Sequence, residues 1–357
     1  MHKFAKMKIA VLLSGGVDSS VALRLLLESG QHDVTAFYLK IWLEDEVAFL
    51  GECPWEEDLM YCRAVCEQAG VPLEVVSLQQ EYQQKIVDYA LAELRAGRTP
   101  SSDILCNQRI KFGEFDHKID TSFDKIASGH YANISFDGNA YFLKKSPDSV
   151  KDQTYFLSHL SQRQLRKALF PLGPYTKREV RAFAQRFDLP NQVRKDSQGI
   201  CFLGKISYPQ FVKFHLGEQA GDIVEIETGR VLGQHNGYWF HTIGQRQGLG
   251  LGNGPWFVVR KDIKENRLYV SHRENLTNHI RSAFEVGDVH WISEPPKRSE
   301  LQVKIRHAPE CFACTIQACP DGKLAVNMAA AETGIAAGQF AVFYDGDTCL
   351  GGGMIVR

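Results

Sequence analysis

The chain has 357 residues, of which 44% are apolar and 23% charged, with a formal net charge of −1. That length exceeds what one hydrophobic core organises, so two or three globular domains are expected. The near-neutral balance excludes a partner held by bulk charge alone, and no apolar run is long enough to span a bilayer.

In chain order, Met1 to Lys6 lack the apolar core of a signal peptide, and nine cysteines, an odd number, point to a reducing cytosol. A cytoplasmic location is therefore expected. Ile9 to Leu13 is a short apolar run of strand character. Ser14-Gly15-Gly16-Val17-Asp18-Ser19 follows, and then a helical stripe at Val21, Ala22, Leu25 and Leu26. A strand, a glycine turn and a helix N-terminus together make an anion site, because the glycines admit close approach and the first helical N–H groups point at the ligand. Ser14, Ser19 and Ser20 add hydroxyls, and Asp18 can hold a cation or orient a neighbour. The loop has neither the lysine of a Walker A motif nor the G-x-G-x-x-G of a dinucleotide turn. It resembles the PP-loop of the ATP pyrophosphatases, which adenylate a substrate and release pyrophosphate.

The next elements alternate. Val34–Leu39 reads as a strand and Asp58–Ala69 as a helix stopped by Gly70; Leu73–Val76 is a strand and Tyr82–Arg95 a helix ended by Gly97; Lys125–Ser128 is a further strand before Gly129-His130. Such alternation means an α/β fold with a doubly wound parallel sheet, its ligands at the carboxyl ends of the strands, where the glycine loop, Leu39 and Gly129 all fall. Cys62 and Cys66, four apart, fit helix packing better than a metal site. Glu44 to Asp58 holds seven acids and no base, whereas Arg163 to Asp196 holds nine Lys or Arg against three acids. The second stretch reads either as a grip for a polyanion or as a solvated helix face. Thr176 and Glu179 form a capping box ahead of a stripe at Val180, Phe183, Ala184 and Phe187. Gly217 to Gly221 marks a linker. From Asp222 the chain reads as short strands with turns at Thr228-Gly229, Asp321-Gly322 and Asp345-Gly346, a β-barrel or sandwich. Cys311, Cys314 and Cys319 alternate with Phe312 and Ile316 as a strand does, and with no fourth ligand a zinc site is not expected.

Two cysteine stretches carry reactive potential. In Gly97-Arg98-Thr99-Pro100-Ser101-Ser102-Asp103-Ile104-Leu105-Cys106-Asn107, Pro100 bars helix continuation, and Ser102 or Asp103 can cap a helix running through Phe112, Phe115 and Ile119. An Asp103 cap puts Cys106 in the first turn, where the helix dipole favours thiolate, although the aspartate's own charge opposes it. The second stretch, Lys195 to Leu203, sets Gly199 near Cys201 between apolar neighbours. From residue type alone each cysteine reads equally as a buried structural thiol or as a reactive one.

These blocks, with Ser128–Tyr131, Lys151–Leu157, His241–Leu249 and Ala341–Tyr344, resemble from end to end the tRNA-uridine 2-sulfurtransferase family (MnmA/TrmU type, tRNA-specific 2-thiouridylases). One departure is Ser101-Ser102, where the family has Asn-Pro before the aspartate. The resemblance implies a PP-loop, adenine nucleotide α-hydrolase-like domain over 1–172, a small helical central tRNA-binding domain over 173–221 and a C-terminal β-barrel over 222–357. It implies ATP contacts at Leu12, Leu13, Ser14, Gly15, Gly16, Val17, Asp18, Ser19, Leu39 and Gly129, with Mg2+ on the phosphates. It implies tRNA contacts at Ser101, Ser102, Asp103, Lys151, Asp152, Gln153, Arg306 and His307. Sulfur would arrive as a persulfide on Cys201 from a relay protein fed by a cysteine desulfurase, Asp103 would be the acid/base, and turnover would leave a Cys106–Cys201 disulfide. The target is the wobble uridine of an anticodon loop, a base that single-stranded RNA can splay into an enzyme.

Two rivals remain at this level. A small-molecule ligase of the same ATP-pyrophosphatase class leaves Cys106, Cys201 and the basic stretch without a task, and a non-catalytic RNA-binding protein leaves the intact glycine loop without one. An iron–sulfur cluster on Asp103, Cys106 and Cys201 is not favoured, because cysteine is the usual cluster ligand and this chain has Asp-x-x-Cys at 103–106.

Overall fold

The computed structural model describes residues 6–41, 54–196 and 207–356. The first half alternates as the apolar pattern requires: β1 (Lys8–Leu13), α1 (Val17–Glu28), β2 (Asp33–Lys40), α2 (Pro54–Ala69) and β3 (Leu73–Ser77). Two longer helices, α3 (79–95) and α4 (102–118), precede β4 (Lys125–Ala127). Each widens into a π-helical stretch, over Gln83–Val87 and Cys106–Glu114. A hairpin follows, β5 (Asn133–Phe136) and β6 (Tyr141–Lys144), and then α5 (Thr154–Leu157), α6 (Gln162–Lys167), β7 (Ala168–Leu169) and α7 (Lys177–Arg186).

The parallel sheet has the order β3-β2-β1-β4-β7, with β1 at its centre. Because side chains alternate along a strand, β1 feeds two cores. Ala10 and Leu12 face α3 and α4, while Ile9, Val11 and Leu13 face α1 and α2. The capping box on α7 forms as expected, with the Glu179 carboxylate accepting the Thr176 N–H at 2.7 Å. Residues 173–191, which the sequence groups with the central unit, pack onto this sheet domain, where Val180, Ala184 and Leu189 are buried beside Ile9 and Val21.

Past residue 206 come α8 (Tyr208–Leu216), stopped by Gly217 at φ 70, and β8 (Gly221–Glu225), β9 (Val231–His235), β10 (Trp256–Asp262) and β11 (Arg267–His272). These strands make a four-stranded sheet of their own, so the segment after 222 holds two sheets where the sequence suggested one β unit. The second comprises β12 (Arg281–Trp291), β13 (Glu300–Lys304), β14 (Phe312–Ala318), β15 (Leu324–Glu332), β16 (Phe340–Asp345) and β17 (Thr348–Ile355). The β12–β17 pairing closes the six into a barrel. Gly351, Gly352 and Gly353 make that closure possible, since a Cβ on any of them would lie 2.1–2.5 Å from a carbonyl oxygen of β12 or β16. The β5–β6 hairpin leaves the first domain and extends the barrel sheet, with Leu143 opposite Cys349 on β17. Among the described residues no helix is long and apolar enough to cross a membrane.

Histidines sit in the seams between these parts. The buried His159 ring lies 4.6 Å from Phe340 and 5.3 Å from His290, and burial drops its pKa to about 3; burial likewise drops His241 to about 4. A base whose folded pKa lies below its unfolded value near 6.5 leaves the unfolded chain binding more protons in between. Stability is therefore complete above pH 6.5 and lost as pH falls toward 4. Acidification from pH 7.5 to 5.5 is expected to cost about 3 kcal/mol for this pair, visible as a drop of the thermal midpoint by circular dichroism. His159→Phe should flatten that slope, and an unchanged slope would show the seam histidine to be irrelevant.

Candidate active site

At the carboxyl end of β1 the chain turns through Ser14, Gly15 and Gly16 into α1, at the point where β2 and β4 diverge to either side of β1. Gly15 has φ 74, and its missing Cβ would lie 2.6 Å from the Asp58 carbonyl. Gly16 is the N-cap of α1 and offers no side-chain oxygen to its first turn, whose N–H groups remain suited to an anion. The Ser14 N–H donates to Ser19 Oγ at 3.2 Å, and Ser19 and Ser20 hydroxyls donate to the Gly16 carbonyl at 3.0 Å. Gly129, at the end of β4, abuts this turn, and a Cβ there would sit 2.7 Å from the Ser19 nitrogen. Leu12, Leu13 and Val17 are buried, so the residues expected at the nucleotide can reach it only through their backbone; Leu39 is half-buried at the end of β2. The Ser14 and Ser19 hydroxyls lie 3.2 Å apart on this turn, and Asp18 adds a carboxylate, the oxygen chemistry Mg2+ takes, although both carboxylate oxygens are engaged by Lys177.

The basic stretch folds back onto this loop. Lys177 Nζ lies 2.7 and 2.9 Å from the Asp18 carboxylate oxygens and 2.7 Å from Asp196, while the Tyr131 hydroxyl donates to Asp18 at 2.9 Å. Asp196 also meets Lys151 at 2.8 Å and Arg181 at 2.5 Å. Burial by itself would raise the Asp196 carboxyl, but hydrogen bonds from Lys151 and Lys177 outweigh it and hold its pKa at about 2. Arg194 and Asn191 both donate to the Gly15 carbonyl, at 3.0 and 2.8 Å, and Arg194 pairs with Asp58 at 2.5 Å. Further out, Arg163 and Lys167 pair with Asp116, and Arg186 with Glu28. Most of the nine cations therefore serve internal pairs, and the exposed remainder is Arg166, Arg178 and Lys195.

A second concavity, about 330 Å³ in volume, opens where the parallel-sheet domain meets both β modules. Ser101, Ser102 and Asp103 line one side; Arg306 and His307, some two hundred residues later, line the other, with Tyr155, Phe156 and Gln339 between them. Its rim is stapled in place. Arg98 forks onto buried Glu93 at 2.5 and 2.6 Å, the Thr99 N–H donates to the Ala337 carbonyl at 2.8 Å, and its hydroxyl lies 3.2 Å from that of Thr242. Gly338 fits against Thr99 with no room for a side chain. His307 donates through Nε2 to the Asp152 carbonyl at 3.0 Å and stacks on Phe156 at 4.5 Å, and burial lowers its pKa. Arg306 pairs with Glu332 at 3.1 Å.

Cys106 departs from its expected state. The helix begins at Ser102 after Ser101, without a side-chain cap, so the thiol lies beyond the first turn, at 2% exposure. Burial pushes it up to about 11; Lys111 pulls down and Asp103 pushes up by smaller amounts. It shares an apolar cluster with Leu12 of the glycine-loop strand. Asp103 lies at the cleft one helical turn earlier. Cys201 lies outside the described residues. Of the triplet 151–153, Lys151 is half-exposed and paired with Asp196, Gln153 accepts the Tyr131 N–H at 3.0 Å, and Asp152 is buried at 2% exposure. Sequence reasoning gave no role to Lys177, Tyr131 or Gln339. Lys177 looks like an ordinary first-turn residue behind Thr176, and Gln339 sits in no chemically suggestive pattern, although Tyr131 belongs to the Ser-Gly-His-Tyr block. Among the described residues no three His, Cys, Asp or Glu side chains converge on a metal position.

Comparison with known proteins agrees with this layout. Residues 7–205 match the family model described as "tRNA methyl transferase HUP domain", 209–272 the "tRNA methyl transferase PRC-barrel domain" and 281–355 the "Aminomethyltransferase beta-barrel domain". The chain is 45% identical over 358 residues to the tRNA-specific 2-thiouridylase MnmA 1 of Bacteroides thetaiotaomicron, covering 98% of this chain and 100% of that one. It is 46% identical over 357 residues to the MnmA of Parabacteroides distasonis, at 98% and 99% coverage. The MnmA of Porphyromonas gingivalis is 43% identical over 364 residues, again at 98% and 99%.

Two outcomes follow from the geometry. Gly129→Ala drives a methyl into the α1 N-terminus and is expected to weaken ATP binding at least tenfold by titration calorimetry; unchanged affinity would move the nucleotide away from this turn. At pH 7.5 a thiol with a pKa near 11 is only about 3 parts in 10,000 thiolate. Iodoacetamide added without nucleotide or tRNA should therefore label half-exposed Cys319 at least tenfold faster than Cys106 by peptide mass mapping, and equal rates would contradict the buried thiol.

Proposed function

The chain belongs to the MnmA family of tRNA-specific 2-thiouridylases, and on that premise we propose that it replaces the C2 oxygen of a tRNA wobble uridine with sulfur at the expense of ATP. The observation that supports this most is the cleft in which Ser101–Asp103 face Arg306 and His307, chain-distant residues held together by three packed modules. An amide-forming ligase acting on a small metabolite has no use for such a junction.

The oxygen at C2 cannot depart as oxide near neutral pH. Transfer of AMP from ATP onto it makes a leaving group, with pyrophosphate released at the loop Ser14–Ser19; a Mg2+ arriving with the phosphates would neutralise their charge, and Asp18 would hold it by exchanging Lys177 for the metal. A persulfide on Cys201, supplied by a sulfur-relay protein or cysteine desulfurase, attacks C2 through its terminal sulfur; the C–S bond forms and AMP leaves. Cys106 then attacks the Cys201 sulfur, the S–S bond breaks, the transferred sulfur stays on C2, and a Cys106–Cys201 disulfide is left for an external dithiol to reduce. In a second version Cys106 attacks the persulfide first and releases sulfide onto C2. Asp103 is the acid/base at the cleft wall. In either version the Cys106 thiol must lose its proton, so substrate binding has to change surroundings that now keep it neutral. The reaction needs no iron–sulfur cluster, and a cytoplasmic setting supplies its reductant.

The test is mass spectrometry of nucleosides from tRNA incubated with the protein, ATP and a persulfide donor. Cys106→Ser and Cys201→Ser are each expected to abolish 2-thiouridine while ATP affinity stays within about threefold. Full thiolation by either variant would overturn the two-thiol route.

A further inference from the structure

Asp152 belongs to a triplet expected at the tRNA, yet its side chain faces away from solvent. It lies 2% exposed opposite Lys304, also 2% exposed, with Lys304 Nζ 3.4 Å from Oδ2. The same oxygen accepts the Thr154 hydroxyl at 2.8 Å, and Oδ1 accepts the Ser146 N–H at 3.2 Å. Tyr344 closes the pocket, its hydroxyl 3.2 Å from Thr154 Oγ1 and its ring 5.5 Å from the Lys304 ammonium. Lys304 is the last residue of barrel strand β13, and Arg306 and His307 follow at once.

The arc 304–307 is thus held to one residue at two points. Lys304 grips the Asp152 carboxylate, and three residues on His307 donates to the Asp152 carbonyl at 3.0 Å. The grip reaches the other wall too, because His307 stacks on Phe156, whose carbonyl accepts Asn107 Nδ2 at 3.0 Å beside Cys106. A fully buried ion pair is a poor stabiliser, since desolvating two charges consumes most of their attraction, and an apolar pair of similar volume often serves as well. What a charge pair supplies and an apolar contact does not is direction.

We propose that Lys304 is a positioning residue for tRNA: its buried pair with Asp152 fixes the Arg306–His307 wall of the cleft relative to Ser101–Asp103. The inference rests on the function proposed above and assigns the Asp152 side chain to that wall's foundation, away from the RNA. Loss of the pair lets the wall shift and weakens RNA recognition, while the glycine loop, anchored separately by Lys177, Asn191 and Arg194, keeps its nucleotide.

Lys304→Met strands a buried carboxylate and should lower the thermal midpoint by several degrees. Lys304→Met combined with Asp152→Asn removes both charges, keeps an oxygen to accept the Ser146 N–H and sets an amide nitrogen that donates to the Thr154 hydroxyl oxygen, and should return most of that loss; it carries the test if the single variant does not fold. For the double variant, equilibrium tRNA binding and the KM for tRNA are expected to worsen at least tenfold, with ATP affinity within twofold and single-turnover kcat at saturating tRNA within about threefold. Wild-type tRNA affinity in a stable double variant would refute the positioning role, as would a parallel loss of tRNA and ATP affinity. An unsubstituted chain that binds no tRNA would refute the proposed function, and this inference with it.

Discussion

One ammonium group organises the nucleotide end of the molecule. Lys177 Nζ reaches both oxygens of Asp18 in the glycine loop and one of Asp196, which carries Lys151 and Arg181 as well. Two carboxylates this close would repel each other; with three cations between and around them the cluster carries one net positive charge, and the loop acquires a fixed shape before anything binds. Such preorganisation matters more to a phosphate site than net charge does, because backbone N–H groups act only when already aimed.

The α/β half was readable because its signals are local. The unbroken apolar run at Ile9–Leu13, glycine stops at Gly70 and Gly97 and the Thr176–Glu179 capping box each act within a few residues, and each holds in the structure. Two sheets after residue 222 were not separable by pattern, since short strands and Asp-Gly turns look alike in either. The hairpin at 133–144 gave no hint of its partner, which lies two hundred residues further on. Strand pairing across that separation is set by complementarity of surfaces, and a linear pattern does not encode it.

The same division applies to the site. Ser14–Ser19 and Gly129 follow from motif chemistry, whereas the meeting of Asp103 with Arg306 and His307 came from resemblance alone. Charge counting alone left the stretch from Arg163 to Asp196 open between a polyanion grip and a solvated face, and it could not show what the structure does, that most of its cations pair with the protein's own carboxylates. Cys106 was open in the same way, a buried or a reactive thiol. Its position in sequence suggested dipole activation, but two residues of helix register and a closed apolar surround reverse the sign of the effect. A buried, protonated thiol is also protected from stray oxidants and metals.

The β5–β6 strap bears on synthesis. A chain made from its N-terminus completes the parallel sheet long before the ribosome delivers β17, so for most of translation Leu143 and the free edge of β6 have no companion strand. The nascent protein must carry an unsatisfied strand edge for some two hundred residues, the interval in which such edges recruit neighbouring chains. Final closure of the barrel then does two jobs in one step: it seals the last module, and it retires the exposed edge left by the first.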